Sequence, residues 1–187
     1  MGGRDAEATR GRILAAAVAE FAAHGLSGGR VDRIAAGAGS NVRMIYAYFG
    51  GKTALFDAAL AEAVLKMSRE VPPRAEDPAG WAGEVFDFHQ RDPAVLRLCQ
   101  WAQLERPEAA SEPLEVYSQK AAAFAGTGSR GFAAVDLLVI IYAIAQAWQL
   151  APSGLLAADP AADARSRRSA VVSAVARIVA GSGSPTG

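Results

Sequence analysis

Two observations make the 187-residue chain an all-α protein of about nine helices. Its hydrophobic fraction is 51%, and much of that is alanine, the residue that opposes helix formation least. Its larger apolar residues recur at i, i+3, i+4 and i+7, in runs separated by glycine and proline. The length allows one large domain or two small ones, with a sizeable core.

Residues 1–8 are small and charged and are expected to be a disordered tail, with Arg4 in a minor groove as the alternative. The first helix is expected over 9–24, with Leu14, Ala17, Val18 and Phe21 on one face. Gly25 ends it, and His24 sits at the carbonyl end, where a cation is favoured. A loop over 26–29 follows.

The stretch VDRIAAGAGSNVRMIYAYFGGK, residues 31–52, organises the rest. It reads as a short helix over 31–38, a tight turn at Gly39–Ser40 and a second helix over 41–49. Gly39 suits a left-handed turn position, and Ser40 or Asn41 offers an oxygen to cap the helix that follows. Two short helices about a glycine turn are the layout of a helix-turn-helix, whose second helix enters the DNA major groove. Val42, Ile45 and Phe49 share the face that should dock on the domain. Ser40, Arg43, Met44 and Ala47 lie opposite, flanked by Tyr46 and Tyr48, a polar, basic and aromatic surface of the kind that base and phosphate contacts use. Lys52, after Gly50–Gly51, is placed to grip a phosphate where the next helix opens.

That next helix is expected over 52–69, with Leu55, Phe56, Ala59, Leu60, Ala63 and Met67 as its buried stripe. Val71-Pro72-Pro73 stops it, and 72–78 is a loop. Three further helices are expected. The first spans 79–90 with Trp81, Val85, Phe86 and His89. The second runs from Asp92-Pro93 to 104 with Leu96, Leu98, Cys99 and Trp101. The third spans 111–124 with Leu114, Tyr117 and Phe124. Gly126-Thr127-Gly128-Ser129 is a flexible break. Residues 130–150 are the most apolar stretch, but Asp136, Gln146 and Gln149 argue against a membrane span and for burial in a core or subunit interface. A loop over 152–160 leads to a last helix over 161–180, seamed by Val171, Val172, Val175 and Ile178. The GSGSPTG end is expected to be disordered.

The residues Arg12-Ile13-Leu14-Ala15-Ala16, Phe21, Gly25, Ile34-Ala35, Ala38-Gly39, Tyr46, Tyr48-Phe49, Lys52 and Leu55 carry a resemblance. Together they resemble the amino-terminal domain of the tetracycline-repressor (TetR) family, over about the first third of the chain; the Tyr46-x-Tyr48-Phe49…Lys52 ending is the most specific part. The chain departs from the family pattern at Gly29 and Arg30, where a threonine or serine commonly stands, with Arg30 placed to take over that phosphate contact. It departs again at Ser40, in place of a valine, and at Arg43 and Met44, where a small residue is usual. The resemblance implies a three-helix DNA-binding domain over 1–52 and a helical effector-binding and dimerisation domain over 53–187. It also implies a twofold dimer with a four-helix interface, and a small-molecule effector that releases the protein from DNA.

Charge and rare residues agree with that division. Seven basic residues stand against four acidic ones up to Lys52, and twelve against fifteen beyond it. A basic head on an acidic body fits DNA binding at one end. One cysteine, Cys99, and two distant histidines give no disulfide and no metal-ligand pattern, and no cofactor is indicated. The absence of an apolar leader suggests a cytoplasmic location.

The reading is therefore a sequence-specific DNA-binding transcriptional regulator, a ligand-released repressor that binds double-stranded, near-palindromic DNA as a homodimer. Its DNA contacts are expected from Arg30, Ser40, Asn41, Arg43, Met44, Tyr46, Tyr48 and Lys52. Trp81, Phe86, His89, Cys99, Trp101, Tyr117, Phe124 and Tyr142 are candidates to line a pocket for a small, largely apolar effector, with core packing as the competing role. His89 alone reads better as a surface or capping residue. Leu138, Ile141, Ala145, Trp148, Val171, Val175 and Ile178 are candidates for the dimer interface, against burial within one chain. A helix-turn-helix-fold interaction module without DNA binding, and an all-helical enzyme around Glu84, Asp87 and His89, are the alternatives; no catalytic pattern supports the second.

Overall fold

The computed structural model describes residues 2–107, 114–125, 132–161 and 163–180. Among them are ten helices and no strand: α1 Gly2–Gly28, α2 Val31–Gly37, α3 Val42–Phe49, α4 Lys52–Glu70, α5 Pro78–Arg91, α6 Ala94–Glu105, α7 Leu114–Phe124, α8 Ala134–Leu150, α9 Ser153–Leu156 and α10 Ala164–Ala180. The expected break at 126–129, the start of the helix at 111 and the glycine-serine end lie outside the described residues.

Three expectations are corrected. The presumed tail is helical from Gly2, continuous with α1. Gly25 does interrupt that helix, at φ 68°, but the segment beyond it makes another helical turn to Gly28. The presumed loop after Pro152 contains α9, whose amides at Leu155 and Leu156 bond to the Pro152 carbonyl at 3.0 and 3.2 Å.

Packing divides the described residues into two compact units, one within Met1–Met67 and Ala94–Leu114, the other within Ser68–Pro93 and Glu115–Gly187. In the first, α1 supplies Ile13, Leu14, Ala17 and Phe21, α2 supplies Ile34 and Ala35, and α3 supplies Ile45. The stripe expected on α4 is buried at every position named, and Val64 joins it. Phe21 meets Phe56 edge to face, 5.2 Å between ring centroids. α6 lies along α1, and no side chain larger than a hydrogen fits at Gly25, where an added Cβ would stand 2.7 Å from the Trp101 ring.

In the second unit α5 is central, packed on α8 and α10. Asp77 caps it by accepting the Gly80 amide at 2.9 Å, just ahead of Pro78 at the helix start. Trp81, Val85, Phe86 and Phe88 of α5 are buried with Phe124 of α7, Leu137 and Ile141 of α8, and Val171 and Val175 of α10. Arg168 of α10 pairs with Asp87 of α5 at 2.7 Å. None of the described helices is long and apolar enough to cross a membrane.

Candidate nucleic-acid interface

The turn between α2 and α3 is fixed by crossed backbone bonds. The Ser40 amide donates to the Ala35 carbonyl at 2.9 Å and the Gly39 amide to Ala36 at 3.1 Å. This closure needs a left-handed residue, and Gly39 supplies φ 57°. Asn41 then stands in extended backbone as the N-cap of α3, and its Oδ1 accepts the Met44 amide at 3.0 Å. The side-chain oxygen of Asn41 is thus engaged within the protein, which leaves its NH2 group for an outside acceptor.

α3 is anchored by Ile45, which is fully buried, with Val42 and Phe49 half-buried beside it. Arg43, Tyr46 and Ala47 face solvent, Tyr46 at 51% exposure, and Ser40 and Tyr48 are half-buried. Met44 is half-buried like them.

The basic residues of this unit divide into two sets. Arg33 is structural: its Nη2 lies 2.5 Å from Glu20 Oε1, and its Nε donates to both Glu20 oxygens at 2.9 and 3.0 Å. The hydrogen bond from Arg33 holds the Glu20 carboxyl below the usual carboxylate range, and Glu20 in turn raises Arg33. Glu20 also accepts the Arg30 amide at 2.8 Å, the first orphan donor of α2. Arg12 Nε donates to the Ala38 carbonyl at 3.3 Å, a cation at the C-terminal end of α2. Lys52 Nζ donates to the Ser27 carbonyl at 3.1 Å, so its expected phosphate contact falls to its other two protons. Arg30 and Arg43 are exposed, and their guanidinium groups have no protein partner among the described residues.

A further contact was invisible in the sequence. The Glu105 carboxylate at the end of α6 accepts the Leu26 amide at 2.5 Å and the Ser27 amide at 3.2 and 3.3 Å, capping the turn that leads to α2. Next to it, Arg106 pairs with Asp57 of α4 at 3.0 Å. The α1–α2 corner is therefore held from α6, 79 residues away in the chain.

The candidate pocket residues fall into both units. Cys99 and Trp101 lie on α6 in the first, both half-buried, with Trp101 against Gly25. The other six lie in the second. Trp81 meets Phe124 and Tyr142 at 5.5 Å each, and buried Lys120 holds its Nζ 5.6 Å from the rings of Tyr117 and Tyr142. Phe86 meets Trp148 edge to face at 6.1 Å. His89 is 1% exposed, which corrects the surface or capping role read for it. Its Nε2 lies 3.1 Å from Gln146 Nε2, an amide that can only donate, so the ring proton sits on Nδ1, which is buried and unpartnered. Burial pulls its pKa down to about 4, with Asp92 pulling weakly the other way, so it is neutral at pH 7.

The candidate dimer residues differ in burial. Leu138, Ile141, Ala145, Val171 and Val175 are covered within their own unit, because α8 and α10 each lay that stripe against the α5 side. Trp148 and Ile178 are half-buried. The outer face of α8 instead exposes Val135, Val139 at 62% and Leu150, and that of α10 exposes Ser169, Ala170, Ser173 and Ala176.

Comparison with known proteins agrees with this architecture at both ends of the chain. Residues 13–59 match the family described as "Bacterial regulatory proteins, tetR family", and residues 77–177 match "Tetracyclin repressor-like, C-terminal domain". The HTH-type transcriptional repressor SCO4008 of Streptomyces coelicolor is 42% identical over 154 residues, 78% of this chain and 80% of its own. The HTH-type transcriptional repressor NicS of Pseudomonas putida is 37% identical over 104 residues, 51% of this chain and 48% of its own. The crystal structure of the putative transcriptional regulator SCO4942 of Streptomyces coelicolor superposes with a TM-score of 0.80 at 32% identity, covering 91% of this chain and 97% of that one. The two family matches and the two repressors carry one conclusion: the chain belongs to the TetR family and is a helix-turn-helix, DNA-binding transcriptional regulator.

Proposed function

We propose that the protein is a cytoplasmic, homodimeric repressor that binds a near-palindromic operator and leaves it when a small, largely apolar effector binds. The observation that carries the reading is the solvent face of α3, where Arg43 and Tyr46 stand exposed on a helix locked by Ile45, Gly39 and Asn41. Arg43 is assigned to a base edge, Tyr46 and Met44 to its flanks, and Ser40, Asn41, Tyr48, Arg30 and Lys52 to the phosphates on either side. DNA reading is assigned to residues 1–52, effector binding and dimerisation to 53–187.

The outer faces of α8 and α10 are assigned to the dimer. An apolar row on one and small side chains on the other let helices of two copies approach closely. A twofold pair places two α3 helices about 34–36 Å apart, one turn of DNA. The effector is assigned to the region where α5, α7 and α8 meet, where buried His89 and Lys120 and half-buried Gln146 lie among aromatic rings. An effector that prefers one spacing of the α3 pair shifts the population to it, and α4, continuous from Lys52 to Glu70, is the element that carries the change.

A gel-shift assay with DNA from upstream of the protein's own gene tests the reading. Retardation by the native protein that Arg43→Ala abolishes or loosens is expected. Equal retardation of every DNA by both proteins contradicts it.

A further inference from the structure

Arg10 of α1 is a basic residue of the first unit with a placement unlike the others. It is exposed, and its guanidinium makes no hydrogen bond or ion pair among the described residues. Its place is nonetheless defined: the guanidinium carbon stands 5.2 Å from the centroid of the Phe49 ring. Phe49 is the last residue of α3, is half-buried, and meets Tyr48 edge to face at 6.4 Å. Two residues further along α1, Arg12 is engaged by the Ala38 carbonyl at the end of α2 and by Thr9 Oγ1 at 3.1 Å. The same stretch of α1 therefore reaches both helices of the motif, Arg12 as a brace and Arg10 with its donors unused. Glu7, one turn earlier, is exposed and is not paired with Arg10 among the described residues.

The end of α3 that Arg10 covers needs a cation. α3 has no basic residue in its own last turn, and the carbonyl end of a helix carries a partial negative charge. A recognition helix reads base edges with its N-terminal residues, so its other end stands toward the edge of the groove and its phosphates. A negative helix end brought toward phosphates is repelled. A guanidinium held over that end turns the repulsion into attraction. Contact with a ring uses none of its five N–H groups in a hydrogen bond to oxygen, and a planar fork of donors suits two phosphate oxygens.

We propose that Arg10 is a further DNA-contacting residue, held over Phe49 so that it clamps a phosphate beside the C-terminal end of α3. Phe49 is the positioning residue. The contact holds α3 in the groove and carries no sequence preference. The proposal rests on α3 as the DNA-reading helix.

Affinity measured over a salt series by fluorescence anisotropy tests it, with a duplex recovered from a random pool by the native protein and with an unrelated duplex. Arg10→Met keeps an unbranched chain over Phe49 and removes the charge. It is expected to weaken both duplexes by about three- to tenfold and to lower the salt slope by about one ion per half-site, with the melting temperature unchanged. Arg10→Lys should keep the slope. Phe49→Leu should weaken binding more in the native background than in Arg10→Met, because the two residues act as one unit. Native affinity and slope in Arg10→Met overturn the proposal. So does affinity lost with the slope intact and the melting temperature lowered, since Arg10 would then only brace α3. Additive losses from Arg10→Met and Phe49→Leu overturn it as well. A native protein that holds no duplex removes the α3 reading and this proposal together; a native protein that binds, with Arg10→Met its equal, removes this proposal alone.

Discussion

Arg43 and Lys52 differ in what surrounds them, and their loss should differ accordingly. Arg43 is exposed without a protein partner, whereas Lys52 is tied to the Ser27 carbonyl. Arg43→Ala should relax preference at one base position and cost about 1–3 kcal/mol of binding, measured by competition between operator variants. Lys52→Ala should weaken all sequences alike and reduce the salt slope by about one ion, read from affinities over a salt series. His89 makes a different prediction. Its folded pKa, about 4, lies below the ordinary 6.5, so between those values the unfolded chain binds a proton that the folded one refuses. Stability is therefore held above pH 6.5 and falls as the pH drops toward about 4, by up to about 3 kcal/mol at the ordinary value of a pKa unit. His89→Leu should flatten melting temperature against pH across that window. The burial of His89 was not readable from its neighbours, because the partner that accommodates it, Gln146, is 57 residues further on.

At the scale of elements, the helix-turn-helix was the most readable part of the chain. Gly39, Asn41 and Ile45 act over three to five residues, the range in which spacing alone fixes geometry. The stripe of α4 was readable for the same reason. The braces around the motif were not. Glu20 to Arg33, Arg12 to Ala38 and Glu105 to Leu26 join positions 13, 26 and 79 residues apart, and nothing in a local pattern marks them. The last should matter most. Glu105→Ala would unpair two amides at the corner that sets the start of α2, at a cost of about 1–3 kcal/mol in stability. Weaker operator binding should accompany it, and hydrogen exchange at Leu26 and Ser27 should accelerate. Unchanged exchange at both amides would show that the corner is held without α6.

For the whole molecule, the apolar run of α8 was visible in the sequence but its division was not. A helix apolar nearly all round shows that two sides need covering without saying which side meets its own core. The structure gives Leu138, Ile141 and Ala145 to the interior and leaves Val135 and Val139 outside. Val139→Glu should then give a folded monomer by light scattering, with operator affinity lost because two half-sites are no longer bound together. Leu138→Glu should instead unfold the unit, since its charge would enter the core. The measurement that bears most directly on the α3 reading face is selection of bound sequences from a random DNA pool by the native protein and by Arg43→Ala. The account predicts an inverted repeat with half-sites about one DNA turn apart, and a repeat degenerate at one position in each half for the variant. A pool without symmetry, or the same repeat from both proteins, would contradict it.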